Sequence, residues 1–292
     1  MLLALLVTTA LLQGTDTTVS VRPGTRLELS SFEGSITVSS WNRAAVRIQA
    51  DHDDDTRIEI DQVGGTLSLH GRARHGPAEA SWRLTVPADM ALQLRSQSGD
   101  VRVEDTRGSV SVETVEGAIE VRGGTGFISL QSVEGNLLLT DAVGRVNLST
   151  VDGSITVRGA KGDLRASAVD GAILMDDVES HNVDANTVDG EIRLSGTIHS
   201  GGEYHLASHD GDVTVIAPAI NATVSVSTYD GEFESDFPVT IEGITARKRM
   251  TFTMGTGTAR LELESFDGTV ALRRSGSRGS PAPDAPESPS RP

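Results

Sequence analysis

The chain has 292 residues, 37% hydrophobic and only 3% aromatic, with 31 glycines, no cysteine and a formal charge of −16. So acidic a chain lacks the clustered Lys and Arg that phosphate-backbone binding needs, which sets nucleic acid aside as a partner. Without cysteine it has neither disulfides nor thiolate metal sites.

Short alternating runs such as SVSVE, SITVR and DVTVI recur throughout, while helix-period apolar patterns are missing over most of the length, so the expected class is all-β. Residues 1–14, MLLALLVTTALLQG, form an apolar stretch too short to cross a bilayer and suited to a signal-peptide core. No Lys or Arg precedes it and no clean small-x-small site follows it, so a buried first strand is the competing reading. Export is expected, which places the mature chain outside the cytoplasm: in the periplasm, at the cell surface or secreted. No second hydrophobic span follows, so the mature chain is expected to have no transmembrane segment. Residues 15–95 carry the strand-like runs TVSVR, RLELS, SITVS, VRIQA, RIEID, TLSLH and WRLTV at irregular spacing, and are expected to form an N-terminal β cap.

Residues 96–237 are repetitive. Glycine recurs every nine residues from Gly99 through Gly108, Gly117, Gly126, Gly135, Gly144, Gly153 and Gly162 to Gly171. The second and fourth positions after each are apolar every time, from Val101/Val103 to Ile173/Met175. At this composition eighteen such hits in eighteen have a chance probability of about 10⁻⁸ before the choice of frame is discounted. Alternate glycines follow an apolar-acidic pair, Val115-Glu116, Val133-Glu134, Val151-Asp152 and Val169-Asp170, then at slightly longer spacing Val188-Asp189, His209-Asp210 and Tyr229-Asp230. The true coil is therefore about eighteen residues, two short strands each, and the expected fold is a single-chain parallel β-solenoid, a right-handed β-helix with β caps. One coil buries too few aliphatic side chains to offset the ordering of its own backbone, so stability must come from stacking. Residues 238–274 lose the strict period and are expected to close the stack. Residues 275–292, rich in Pro and Ser, read as a disordered tail.

Three places, SVRPGTRLELSSFEGSITVSSWNRAAVRIQA, the repeated TVDGSI and TVEGAI elements, and GTGTARLELESFDGTVALRR, carry a resemblance that spans nearly all of Thr17 to Arg274. Here the chain resembles the bacterial putative-adhesin family of β-strand-repeat domains of unknown function, related to auto-transporter adhesin heads. The resemblance implies a β-helix outside the cytoplasm and brings no catalytic residues with it.

The candidate chemistry is sparse. In a solenoid Glu116, Glu134, Asp152, Asp170, Asp189, Asp210 and Asp230 stack along one edge about 4.8 Å apart, where neighbouring charges repel by just under about 1 kcal/mol even in water. A cation-binding edge is one reading, with Ca²⁺ as the ion because it takes several carboxylate and carbonyl oxygens. Solvated Asp-Gly turn chemistry is the plainer one, since the calcium-binding nonapeptide needs GGxGxD and here Ile128 stands where its aspartate would be. His199, His205 and His209 lie close in sequence, but on a strand and turn their side chains alternate between faces, which opposes a zinc site. Leu138, Thr156 and Leu174 occupy outward positions of one strand stack and form a candidate docking strip for a partner.

Polysaccharide-cleaving solenoids need paired carboxylates in a groove built by long loops and aromatic platforms, and Gly99–Gly171 admits no insertion. No GxSxG, P-loop or HExxH is present. The function expected from the residues is a non-enzymatic, adhesin-like binding or scaffold protein of the envelope, with an envelope protein or glycan as partner and no cofactor. The alternatives are a Ca²⁺-stabilised structural rod and a polysaccharide-active β-helix enzyme.

Overall fold

The computed structural model describes residues 14–239 and 249–276. The apolar leader and nearly all of the Pro/Ser-rich tail read from the sequence lie outside the described residues, as do residues 240–248. Every regular element described is a strand.

An irregular first third holds β1 (Gly14–Ser20), β2 (Arg26–Glu33), β3 (Ile36–Trp41), β4 (Ala45–His52), β5 (Thr56–Val63), β6 (Thr66–Ala73) and β7 (Ala80–Pro87). The regular coils follow as strand pairs: β8 (Ala91–Ser98) with β9 (Val101–Thr106), β10 (Val110–Glu116) with β11 (Ile119–Gly123), and β12 (Thr125–Glu134) with β13 (Leu137–Thr140). After them come β14 (Val143–Asp152) with β15 (Ile155–Arg158), β16 (Lys161–Ser167) with β17 (Ile173–Val178), β18 (Asn182–Asp189) with β19 (Ile192–Gly196), and β20 (Glu203–Asp210) with β21 (Val213–Ala217). The chain finishes with β22 (Ala222–Thr228), β23 (Phe233–Ser235), β24 (Arg249–Met254), β25 (Ala259–Asp267) and β26 (Val270–Arg274).

These strands form two 13-stranded sheets, one strand of each coil going to each. Within the coils all pairing is parallel and in register: Val110 faces Ile128, which faces Val146, which faces Leu164, while in the other sheet Ile119, Leu137, Ile155 and Ile173 align. Antiparallel strands appear towards the ends of the stack, where β1 pairs with β4, β4 with β7, β5 with β6 and β24 with β22. Turning the terminal strands antiparallel leaves them out of phase with the repeat, which blunts edge-to-edge addition of another copy.

All eighteen apolar positions that the nine-residue rule assigns inward, from Val101 and Val103 to Ile173 and Met175, are buried. The inward rows of both sheets meet in one continuous aliphatic core. The period-2 alternation sends the intervening residues outward, where cross-rung pairs such as Arg95–Glu113 at 3.0 Å and Arg102–Glu120 at 2.6 Å form on solvent-exposed faces.

Of the C-terminal strands, β24 ends its sheet against β22, whereas β25 and β26 lie inside the stack. β25 lies between β20 and β22, and β26 lies between β21 and β23, so the last coil of the chain is threaded inside the one that precedes it in sequence. The turn from β22 towards β23 carries the same motif as the other coils, so each surface can accept β25–β26 as readily as its sequence neighbour.

Candidate functional site

One edge of the rod is built from a four-residue turn, mostly of the form Ser/Thr, apolar, acid, Gly, with Ala168 and His209 as departures. In the coil from Thr150 to Gly153 the Thr150 hydroxyl points inward and donates to the Gly135 carbonyl of the preceding rung at 3.1 Å. Thr187, Ser208 and Ser265 repeat the bond to Gly171, Gly190 and Gly211 at 2.9 to 3.0 Å. The glycine N–H donates to the acid's carbonyl one rung on, as Gly117 does to Glu134 and Gly135 to Asp152 at 2.8 to 2.9 Å. Gly153 sits at φ 147°, and a Cβ there would lie 2.4 Å from the Gly135 carbonyl oxygen, so the close stacking itself demands glycine.

With the hydroxyl and the glycine committed to the backbone, the two middle residues face solvent. The outward apolar residues run in register as Val115, Val133, Val151, Val169, Val188, His209, Phe266 and Tyr229. From Val115, 36% exposed, they open to Val188 at 51% and Tyr229 at 63%. At the C-terminal end the ladder becomes aromatic, with His209 stacked on Phe266 and Phe266 on Tyr229, both at 4.7 Å between ring centres. Towards the other end Phe32 belongs to the same row, separated from Val115 by Gln97.

Beside this ladder runs the acid column. Glu116, Glu134, Asp152, Asp170, Asp189 and Asp210 align rung by rung. Asp267, which the sequence reading passed over, follows Asp210 and separates it from Asp230. Glu33 holds the equivalent place near the N-terminus, opposite Ser98. The missing members were legible in SFEG and SFDG, which carry the same four-residue pattern outside the nine-residue frame. No basic side chain pairs with any of these nine edge carboxylates among the described residues. Nor, among the described residues, do three His, Asp or Glu side chains gather closely enough to hold a metal ion.

The three histidines point to different places. His199 stacks on His181 at 4.7 Å, His205 meets the Asp184 carboxylate at 3.3 Å, and His209 joins the aromatic stack. Leu138, Thr156 and Leu174 do align on the outer face of β13, β15 and β17, each half-buried, but the strip is three rungs long and bounded by Glu120 and Arg193.

A shallow groove of about 480 Å³ crosses the outer face of β14, β16, β18 and β20 and includes Glu203 and His205, where the coils lengthen. Three of its carboxylates are engaged locally: Asp184 with Arg165 at 3.2 Å and with His205, Glu262 with Arg260 at 3.7 Å, and Asp163, which accepts from the Asn182 amide at 2.8 Å. The row of inward aliphatics is broken here by Tyr204, whose hydroxyl donates to the Ser180 carbonyl at 2.6 Å and accepts the His199 N–H at 2.9 Å.

The family model described as Toastrack DUF4097 matches residues 24–273. Among solved structures the chain is similar to a putative adhesin from Parabacteroides distasonis, at 12% identity and a TM-score of 0.53, covering 89% of this chain and 97% of that one. It is also similar to a putative lipid binding protein from Parabacteroides distasonis, at 11% identity, TM-score 0.47 and coverage of 89% and 96%. A putative adhesin from Parabacteroides merdae matches at 10% identity, TM-score 0.45 and the same coverage. At such identities the likeness speaks to the fold. No curated protein matches the chain.

Proposed function

The chain belongs to the Toastrack DUF4097 family, and on that footing we propose that it is a non-enzymatic, adhesin-like binding or scaffold protein of the cell envelope, working outside the cytoplasm. The observation that carries the reading is the exposed ladder from Val115 to Tyr229 beside its unpaired acid column. Isolated exposed aliphatics are ordinary, but five valines continued by His209, Phe266 and Tyr229 in register on one edge form a contiguous, largely apolar strip of the kind that marks an interaction surface. Solved relatives of similar fold carry adhesin descriptions, which supports the same class. The reading takes the rod as a right-handed solenoid of about eighteen-residue coils; the step between paired residues such as Ile119 and Leu137 supports the coil size. The partner expected on the edge is an envelope protein or glycan, with an apolar strip flanked by positive or hydrogen-bond-donating groups.

Crosslinking of the tagged protein in its native envelope, followed by mass spectrometry, tests this against a V133T/V151T/V169T variant. Threonine keeps the β-branched shape at these half-exposed sites, so stability should change by no more than about 0.5 kcal/mol per site. Wild type should recover a defined partner that the variant loses. Equal recovery by both, or no specific partner for wild type under several conditions, would remove the reading. Cell fractionation tests the envelope location separately.

A second reading, a Ca²⁺-stabilised rod, is favoured by the in-register carboxylates, which would take ions diffusely along the column. A melting temperature that millimolar Ca²⁺ and chelator leave unchanged eliminates it.

A further inference from the structure

On the opposite side of the N-terminal third, the β1–β2 and β3–β4 connections and the stretch between β7 and β8 enclose a groove of about 360 Å³. Its chemistry is unlike the rest of this acidic molecule. Arg22, Arg43 and Arg107 all line it, against the single carboxylate of Asp89. Arg107 meets Asp89 at 3.2 Å, whereas Arg22 and Arg43 make no ion pair among the described residues. The Trp41 indole is held in place by donating to the Ala45 carbonyl at 2.7 Å, and the Arg43 guanidinium lies over its ring at 5.1 Å from the centre. That stacking presents a cation whose orientation is already set before any ligand arrives. Pro23, Pro87 and Met90 complete the lining with apolar surface.

We propose that this groove binds an acidic sugar, a pyranose ring bearing a carboxylate. The two unpaired guanidiniums match a carboxylate in fork geometry. The apolar lining suits the C–H face of a ring, and the volume is of the size that holds a small ligand. Asp89, on the rim with its side chain 82% exposed, accepts hydroxyl protons and repels a phosphate dianion, which favours a polyhydroxy monoanion. The groove is separate from the Val115–Tyr229 edge and does not depend on it.

Tryptophan fluorescence reads this site directly, since Trp41 is partly exposed and the other tryptophan, Trp82, is 2% exposed in the core. The purified chain is titrated at constant ionic strength with methyl β-D-glucuronide, methyl β-D-glucoside and inorganic phosphate. A saturable change with the glucuronide is expected, at least tenfold tighter than with either comparator, weakened at least tenfold in R43A and in R22A and kept in W82F. Both arginines are exposed, so each variant should fold, and two of them guard against a local rearrangement. Equal response to glucoside, equal response to phosphate, or no saturable response to glucuronide each overturns the proposal.

Discussion

Thr150, Val151, Asp152 and Gly153 divide one turn between architecture and surface. The Thr150 hydroxyl and the Gly153 N–H bond to neighbouring rungs, whereas Val151 and Asp152 give those rungs only their backbone carbonyls and turn their side chains to solvent. G153A should therefore destabilise by roughly 3 kcal/mol or more, because the added Cβ meets backbone 2.4 Å away in a conformation that L side chains rarely adopt. A urea midpoint equal to wild type would contradict that stacking. Tyr204 offers a second residue-scale test. Burial raises its phenol above the ordinary value, an effect trimmed by the N–H of His199 that it accepts. A phenol whose folded pKa exceeds its unfolded value holds its proton more tightly in the native state. Its contribution is therefore whole below about pH 10 and is lost as pH rises through the folded value. Wild type should lose stability more steeply than Y204F above about pH 10, while at neutral pH Y204F should cost about 1 to 3 kcal/mol for the Ser180 carbonyl and His199 N–H left behind. Alkaline melts of both proteins check the sign. At this scale the inward aliphatics were legible because their period is strict. The solvent-facing valines were equally regular, yet regularity alone does not say that a residue is exposed. Two consecutive outward side chains break the alternation that a strand pattern assumes.

At the scale of elements, the placement of β25 and β26 is the feature that local pattern could not supply. The turns SFDG at 265–268 and TYDG at 228–231 are chemically the same rung, and either fits against the edge left by β20. Sequence proximity favours β22, and the structure gives the place to β25, with β22 outside it. A chain ending at Gly257 should then leave β20–β21 and β22–β23 facing one another without the coil that pairs both. We expect loss of the single cooperative melt and concentration-dependent association through the bared strands, read by circular dichroism and size-exclusion chromatography. Retention of the wild-type melt would mean that β22 pairs directly with β20. The parallel strand stack was otherwise readable from β-period runs and glycine spacing, because each coil repeats one local solution. The antiparallel direction of β4 and β5 was not, since the alternation in VRIQA and RIEID fits either direction equally well.

For the whole molecule the balance of −16 matters most where it is concentrated. Seven neighbouring rungs from Glu116 to Asp267 carry a carboxylate with no cation beside it, and their spacing is well inside the Debye length at low salt. Raising NaCl from about 10 to about 150 mM should increase the melting temperature by screening that column, and D152N/D170N should shrink the increase. A melting temperature indifferent to salt would mean that the column's repulsion is already relieved. Charge totals in the sequence pointed to an acidic rod. They hid a basic groove at Arg22, Arg43 and Arg107, whose members come from three separate connections and meet only on folding. The threaded last coil also sets the timing of assembly. A chain emerging from the ribosome can stack its coils in order as far as β21, but the next partner for that edge is the last strand pair to be made. Until β25 and β26 have emerged, the rod waits with an unsatisfied rung, so these two strands act as the seal between β20–β21 and β22–β23.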